Sequence, residues 1–252
     1  MSNIICVIPA RFASTRLPGK PLADVCGKPL IQWVYERAAS SKRIQTVYVA
    51  TDDKRIFDAV RAFGGLAIMT TGDYQSGADR IADAVKDMDW DVLVNLQGDE
   101  PMMHPDTIDR AIDILEKDPD CSVSTAMIRI TNAEHYASPH VVKVVCAPDG
   151  RALYFSRSPI PSLSRAGAEP DFSGYFGFKH LGLYAYRRHV LLEFTKISPS
   201  FLEKLEKLEQ LRFLENGYIV KVVETIHDSI GVDTPEDLEN LKSILQSNKE
   251  KR

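Results

Sequence analysis

The chain has 252 residues, 44% hydrophobic and 26% charged, with 31 Lys and Arg against 35 Asp and Glu for a formal net charge of −4. That length suits one large α/β domain, or one domain with a smaller lobe, and the composition is that of a soluble globular protein. A slight acidic excess gives no global field for nucleic acid or a membrane surface, so neither is an expected partner, and any anion must be caught by a local cluster.

Strand-like and helix-like runs alternate through the first half. NIICVIPA (3–10) reads as a strand and PLIQWVYERAASS (29–41) as an amphipathic helix. QTVYVAT (45–51) is a strand, and DKRIFDAVRAFGG (53–65) a helix closed by Gly64 and Gly65. LAIMT (66–70), SGADRIADAVKDM (76–88), DVLVNLQ (91–97) and PDTIDRAIDILEKD (105–118) continue the β-α alternation. The strands are apolar throughout, as in a parallel sheet covered on both faces, and the order predicts a doubly wound α/β fold.

After Cys121 the pattern changes. CSVSTAMIRI (121–130), VVKVVCAPDG (141–150), RALYFSR (151–157) and KHLGLYAY (179–186) are strand-like with few helices between them, and the Pro, Gly and Ser content of 158–178 predicts a long loop. Residues 198–217 predict one helix, with a capping box from Ser200 and Glu203 and a stop at Gly217. Glu203, Lys204 and Lys207 read as its solvated face. YIVKVVET (218–225) returns to β, and a last helix starts at Thr234 as N-cap with Pro235 at its first position. One domain over 1–252 is expected, with a mixed, mostly parallel sheet and an inserted lobe at about 130–200.

The four cysteines, Cys6, Cys26, Cys121 and Cys146, include no C-x-x-C pair, which argues against zinc. Cys6 and Cys146 lie in apolar runs and read as reduced core residues, which suits a cytoplasmic setting. The N-terminal apolar run is short and ends at Pro9-Ala10-Arg11, so it reads as a strand rather than a signal peptide. No apolar stretch approaches the ~20 residues that span a bilayer.

Four stretches carry candidate chemistry. In an open parallel sheet, ligands gather beyond the carboxyl ends of the strands. The loop 9–20 leaves the first strand there with Arg11, Arg16 and Lys20, and Gly19 lets it turn. That suits a polyphosphate, although neither a Walker A loop nor a G-x-G-x-x-G fingerprint is present; the alternative is a solvated basic loop. In VLVNLQGDEP, a buried strand runs into Gln97, Gly98, Asp99 and Glu100, where Asp99 can hold Mg²⁺ on phosphate or serve only in a turn. In GVDTPEDL, Thr234 and Asp237 suffice for capping, which leaves Asp233 as a second metal-binding carboxylate or as a charge favourable to the helix terminus. In YQSGADR, Gln75, Ser76 and Gly77 can meet a base or ribose, or cap a helix.

Together IPARFASTRLPGKPL, YQSG, VNLQGDEP, ALYFSR, HLGLYAYR, LEKLEQLRFLENG and GVDTPEDL resemble the 3-deoxy-manno-octulosonate (Kdo) cytidylyltransferases, or CMP-Kdo synthetases, over nearly the whole chain. The first loop alone resembles the wider nucleotidyltransferase group, which includes the CMP-sialic acid synthetases. The resemblance implies a Rossmann-like nucleotidyltransferase fold whose inserted lobe serves sugar binding and dimerisation. It implies transfer of CMP from CTP to the anomeric hydroxyl of Kdo, an acidic eight-carbon sugar, with release of pyrophosphate. It also implies a Mg²⁺ requirement, a homodimer, and a role in lipopolysaccharide synthesis in a bacterial cytoplasm. Carried over by motif, Arg11, Lys20 and Asp99 are catalytic, and Asp99 and Asp233 bind metal. Arg11, Arg16, Lys20, Gln75, Ser76, Gly77 and Gln97 bind nucleotide. Arg157, His180, Tyr184, Glu209 and Gln210 face the sugar.

Two other classes compete. A nucleotide-sugar glycosyltransferase should show Asp-x-Asp after a strand, where only Asp99 stands here. A non-catalytic nucleotide-binding module has no need of Lys20, Asp99 and Asp233 together. The departures from the family pattern are SGADR for SGTER, His140 for Asn, and Ser162, Leu163, Ser164 and Arg165 for a Trp and an Asp-Arg pair. They bear on the sugar and raise an alternative substrate, Kdo with an amine in place of its C8 hydroxyl (Kdo8N).

Overall fold

The first strand, β1 (Ile4–Ala10), is buried at every position but Pro9. Its unbroken apolar run is the mark of a strand with both faces covered. The computed structural model describes residues 2–13, 16–72, 74, 76–163 and 174–250. A two-residue hairpin follows, β2 (Asp24–Val25) and β3 (Lys28–Pro29), turning on Cys26 and Gly27 at φ 52° and 86°. Two positive φ values in succession give the turn whose twist matches the strands it joins. Helix α1 (Leu30–Ala39) buries Leu30, Ile31, Val34 and Ala38, one face at helical spacing. Then come β4 (Thr46–Thr51), α2 (Lys54–Ala62), β5 (Leu66–Met69), α3 (Gly77–Val85) and β6 (Val92–Leu96). β1 pairs with β4 on one side and β6 on the other, β4 pairs with β5, and every pairing is parallel. The carboxyl ends of β1, β4 and β6 therefore share one edge, the edge expected to carry ligand. The α/β class and the parallel central sheet are those expected from the sequence.

Helix α4 (Pro105–Lys117) leads the chain from one compact unit, residues 1–109 with 228–252, into another, residues 110–227. The second unit contains β7 (Val123–Ile130), α5 (Ala133–Ala137), β8 (Lys143–Cys146), β9 (Ala152–Ser156), β10 (Gly177–Arg187), α6 (Arg188–Phe194), α7 (Phe201–Glu206), α8 (Gln210–Glu215) and β11 (Val220–Glu224). β11 runs parallel to β7, β10 antiparallel to β7, and β8 antiparallel to both β10 and β9. The sheet of this unit is mixed. A register shift between Leu181 and Tyr184 interrupts the β10–β7 ladder. Irregularities of this kind re-aim side chains.

Two expectations for the second unit need correction. Residues 198–217 are not one helix: the run breaks at Lys207, which takes the left-handed conformation (φ 55°, ψ 45°) and gives its N–H to the Glu203 carbonyl. The apolar and polar periodicity continues across the break, so the pattern carries no sign of it. Glu203 is not on a solvated face: its carboxylate accepts two hydrogen bonds from the Arg212 guanidinium, at 2.5 and 2.7 Å, with only 12% and 3% of the two side chains exposed. Glu203 also accepts the Ser200 N–H, as the predicted capping box requires.

The last helix, α9 (Pro235–Glu250), belongs to the first unit. Its Leu238, Leu241 and Leu245 pack with Val25, Leu30 and Val232 in one buried cluster. Each such leucine contributes roughly 2 kcal/mol of burial. The 3-4-7 spacing thus anchors the segment bearing Asp233. Among the described residues no helix is long and apolar enough to cross a membrane.

Candidate active site

The site grows from two backbone constraints. Gly19 lies at φ 70° with its N–H on the Phe12 carbonyl at 3.1 Å, and a Cβ there would stand 3.1 Å from the Phe12 ring. The left-handed conformation favours glycine, and a Cβ there would crowd the ring. Lys20-Pro21-Leu22 follows as a 3-10 turn with Pro21 buried, which fixes the direction of the Lys20 backbone. The second constraint is Gly98. A Cβ on it would lie 2.8 Å from the Pro9 carbonyl oxygen. Only glycine lets the chain leaving β6 lie against the end of β1.

That approach sets Asp99 beside Lys20, with Lys20 Nζ donating to Asp99 Oδ2 at 2.7 Å. The Val232 N–H donates to the Asp99 carbonyl at 2.9 Å, so the next residue, Asp233, arrives at the same place. Its Oδ1 accepts from Lys20 Nζ at 3.1 Å and its Oδ2 meets Arg16 Nη2 at 3.0 Å. The Asp233 carboxylate is free of capping duty, as expected. Asp237 accepts from the N–H groups of Asp233 and Thr234 and from the Thr234 hydroxyl. Burial by itself would lower the Lys20 pKa, but the charges and hydrogen bonds of Asp99 and then Asp233 outweigh it and move it up. Lys20 is a permanent cation at neutral pH. Glu100, next to Asp99, turns away and accepts from the Ser229 hydroxyl.

Arg16, Lys20, Asp99 and Asp233 line a cavity of about 320 Å³ with Pro9, Arg11 and Gln97. Arg11 Nη2 donates to the Tyr74 carbonyl at 3.1 Å and the Ser76 carbonyl at 3.4 Å, tying the first loop to the segment that opens α3. The Ser76 hydroxyl and the Asp79 carboxylate complete a reciprocal capping box, so the shorter carboxylate of SGADR still does the structural work. Ala78 is fully buried, and a hydroxyl there would need a partner. A Cβ on Gly77 would meet only Pro9 Cγ, at an ordinary 3.7 Å, so local packing does not explain that glycine. Gln75 lies outside the described residues, as do Ser164 and Arg165.

In the second unit, Thr125 donates its hydroxyl proton to the Leu183 carbonyl at 2.6 Å and lies 2.8 Å from His180 Nε2. A hydroxyl has one proton to give, so His180 Nε2 is the donor in that pair. Desolvation holds the His180 pKa down to about 3, and the ring is neutral at pH 7. Tyr184 stacks obliquely on it, centroids 5.3 Å apart. Burial, aided by the Glu209 charge, pushes the Tyr184 phenol well above its usual range. Gln210 is buried at the start of α8, with Glu209 preceding it as the residue that opens the helix. Arg157 directly follows β9, and its guanidinium donates to the carbonyls of Glu206, Pro139 and Lys207. Sequence reasoning did not single out Glu206 and Lys143, whose carboxylate and ammonium bond the Arg157 N–H and carbonyl. Lys143 had a visible signal, a lone cation inside the apolar run VVKVVC, whereas Glu206 is hidden among the repeated charges of LEKLEKLEQL.

A parallel α/β sheet with a cationic loop after its first strand, and two acidic residues converging on that loop's lysine, defines a nucleotidyltransferase. The comparisons narrow the class. The cytidylyltransferase family model matches residues 5–228. A 3-deoxy-manno-octulosonate cytidylyltransferase of Geobacter sulfurreducens is 51% identical over 97% of this chain and 100% of its own length. That of Pelobacter propionicus is 52% identical over 94% of each chain. A solved CMP:2-keto-3-deoxy-manno-octonic acid synthetase complexed with CTP is 43% identical and superposes with a TM-score of 0.90 over 98% of this chain and 100% of that one. The chain belongs to the 3-deoxy-manno-octulosonate cytidylyltransferase family.

Proposed function

We propose that the protein transfers CMP from CTP to the anomeric hydroxyl of Kdo. The hydroxyl oxygen forms a bond to the α-phosphorus, the bond from that phosphorus to the bridging oxygen breaks, pyrophosphate leaves, and the hydroxyl proton passes to solvent. The observation that carries this reading is the convergence of Lys20, Asp99, Asp233 and Arg16 on one cavity. The family and the full-length relatives supply the identity of the two substrates.

The roles follow from charge. Arg11, Arg16 and Lys20 bind the CTP phosphates, and Lys20 offsets negative charge developing around the α-phosphate. Asp99 and Asp233 would hold Mg²⁺: two oxygen-donor carboxylates within 3.1 Å of one cationic nitrogen are a hard-ligand pair of the right kind. The bound ion supplies charge neutralisation on the phosphates and acidifies an oxygen ligand. Gln97, Ser76, Gly77 and Gln75 serve the nucleoside. Arg157, His180, Tyr184, Glu209 and Gln210 serve the sugar, with Arg157 on the carboxylate, because a guanidinium fork matches its two oxygens.

A cytoplasmic setting fits the free state of all four cysteines. A homodimer fits the exposed Leu153, Phe201 and Leu205 of the second unit, apolar side chains that a partner surface would cover. Sedimentation velocity checks the dimer. The reaction is tested by pyrophosphate release from CTP and Mg²⁺ with Kdo, Kdo8N and sialic acid in parallel. Release with Kdo above the other two is expected. A preference for Kdo8N moves the assignment to the modified sugar, and release with none of them removes it.

A further inference from the structure

We propose that Glu206 is a positioning residue for the sugar acid, acting through Arg157; the proposal rests on the reading of Arg157 as the carboxylate contact. The β8–β9 ladder pairs Lys143 with Ser156 and ends there. The peptide groups of Arg157 therefore need partners outside the ladder. Its N–H donates to Glu206 Oε2 at 2.9 Å, and its carbonyl accepts from the Lys143 ammonium at 2.5 Å. Lys143 is fully buried and gives its other two protons to the carbonyls of Ser138 and Val141. One carboxylate and one ammonium thus grip Arg157 from its two sides.

The guanidinium is held in a different way. Nε donates to the Glu206 carbonyl at 2.8 Å, Nη1 to the Pro139 carbonyl at 3.1 Å, and Nη2 to the Lys207 carbonyl at 3.5 Å. Among the described residues these partners are neutral, so the cation is oriented without being cancelled. Among the described residues, two of its five N–H donors are left over. The Glu206 carboxylate takes the Arg157 backbone N–H and the hydroxyls of Ser156 (2.6 Å) and Tyr154 (3.5 Å), while its backbone carbonyl takes the guanidinium Nε. The left-handed break at Lys207 belongs to the same device. It ends α7, so the Glu206 and Lys207 carbonyls are not consumed four residues on and turn to Arg157 instead. The result is a fixed fork whose own hydrogen-bond partners are neutral carbonyls, the form of cation that a planar carboxylate selects.

The test is steady-state kinetics on Glu206→Met, Glu206→Gln, Arg157→Ala and the Glu206→Met/Arg157→Ala double variant, with KM read separately for Kdo and CTP. Glu206→Met removes the acceptor and should raise the Kdo KM about tenfold, the effect of one lost charge-assisted hydrogen bond, with the CTP KM and kcat nearly unchanged. Glu206→Gln keeps one acceptor and should raise the Kdo KM about threefold; it carries the test if the Met variant does not fold. In the Arg157→Ala background, Glu206→Met should add less than about twofold, because residues acting through one another are not additive. An unchanged Kdo KM in both Glu206 variants, equal rises for Kdo and CTP, or full additivity in the double variant overturns the proposal. An unchanged Kdo KM in Arg157→Ala overturns the underlying reading of Arg157, and the proposal with it.

Discussion

Lys20 Nζ stands 2.7 Å from Asp99 Oδ2, so the first loop's lysine is the counter-ion of the carboxylate three residues beyond the neighbouring strand. The same nitrogen reaches Asp233, and only 15% of the lysine side chain is exposed. Phosphate and these carboxylates therefore compete for one cation. Lys20→Met should lower kcat about 10²–10³-fold, the scale for one preorganised donor at a transition state, while the thermal midpoint moves little. Circular dichroism melting beside initial-rate kinetics checks both parts.

The same relationship predicts how metal binds. With Lys20 and Arg16 neutralising Asp99 and Asp233, the nucleotide-free protein should take up Mg²⁺ weakly. Lys20→Met removes the competing charge, so titration calorimetry without nucleotide should give a lower Kd for Mg²⁺ in the variant. An equal or higher Kd contradicts the competition.

Gly98 is sterically fixed. A Cβ 2.8 Å from the Pro9 carbonyl oxygen has backbone on the other side, which yields less readily than a side-chain tip. Gly98→Ala should destabilise the fold by about 1–3 kcal/mol, as overpacking does, and weaken activity by displacing Asp99. Urea denaturation with the same slope and a lower midpoint is the expected outcome.

Lys207 predicts the opposite sign. A non-glycine residue in the left-handed region costs about 1–2 kcal/mol, part of which glycine returns in unfolded-state entropy. Lys207→Gly should raise the melting temperature by roughly 1–3 °C with the sugar site intact. A lower temperature would mean that the Lys207 side chain itself stabilises the turn.

His180 sets a pH dependence. Its folded pKa, about 3, lies below the unfolded value near 6.5, so the unfolded chain binds the extra proton between them. Stability from this group is complete above pH 6.5 and falls as the pH drops toward 3, with a slope of at most about 1.4 kcal/mol per pH unit. His180→Gln should flatten the urea-denaturation stability curve over that window and leave it unchanged above pH 7.

Much of this was legible in the sequence. The uniform burial of Ile4–Ile8 and Val92–Leu96 follows from their unbroken apolar runs, and with those strands the edge bearing Arg11, Lys20 and Asp99 was fixed. The release of Asp233 from capping was also readable, because Thr234 and Asp237 stand at capping-box spacing. The break at Lys207 was not: the Glu206 and Lys207 carbonyls there meet Arg157, fifty residues earlier, and a local periodicity carries no trace of such a tertiary contact. Glu203 looked solvated for the same reason: its partner, Arg212, lies beyond the break. The hairpin at Asp24–Pro29 was missed because two-residue strands leave no period to detect.

The most direct test of the catalytic centre is the turnover of Asp99→Asn against the wild-type protein at saturating CTP, Mg²⁺ and Kdo, followed by pyrophosphate release. The substitution keeps the shape of the side chain and removes the charge that holds Lys20. A loss of about 10³-fold or more in kcat, with the fold intact, is the predicted result. Activity within about tenfold of wild type would contradict the assignment of Lys20, Asp99 and Asp233 as the reacting centre.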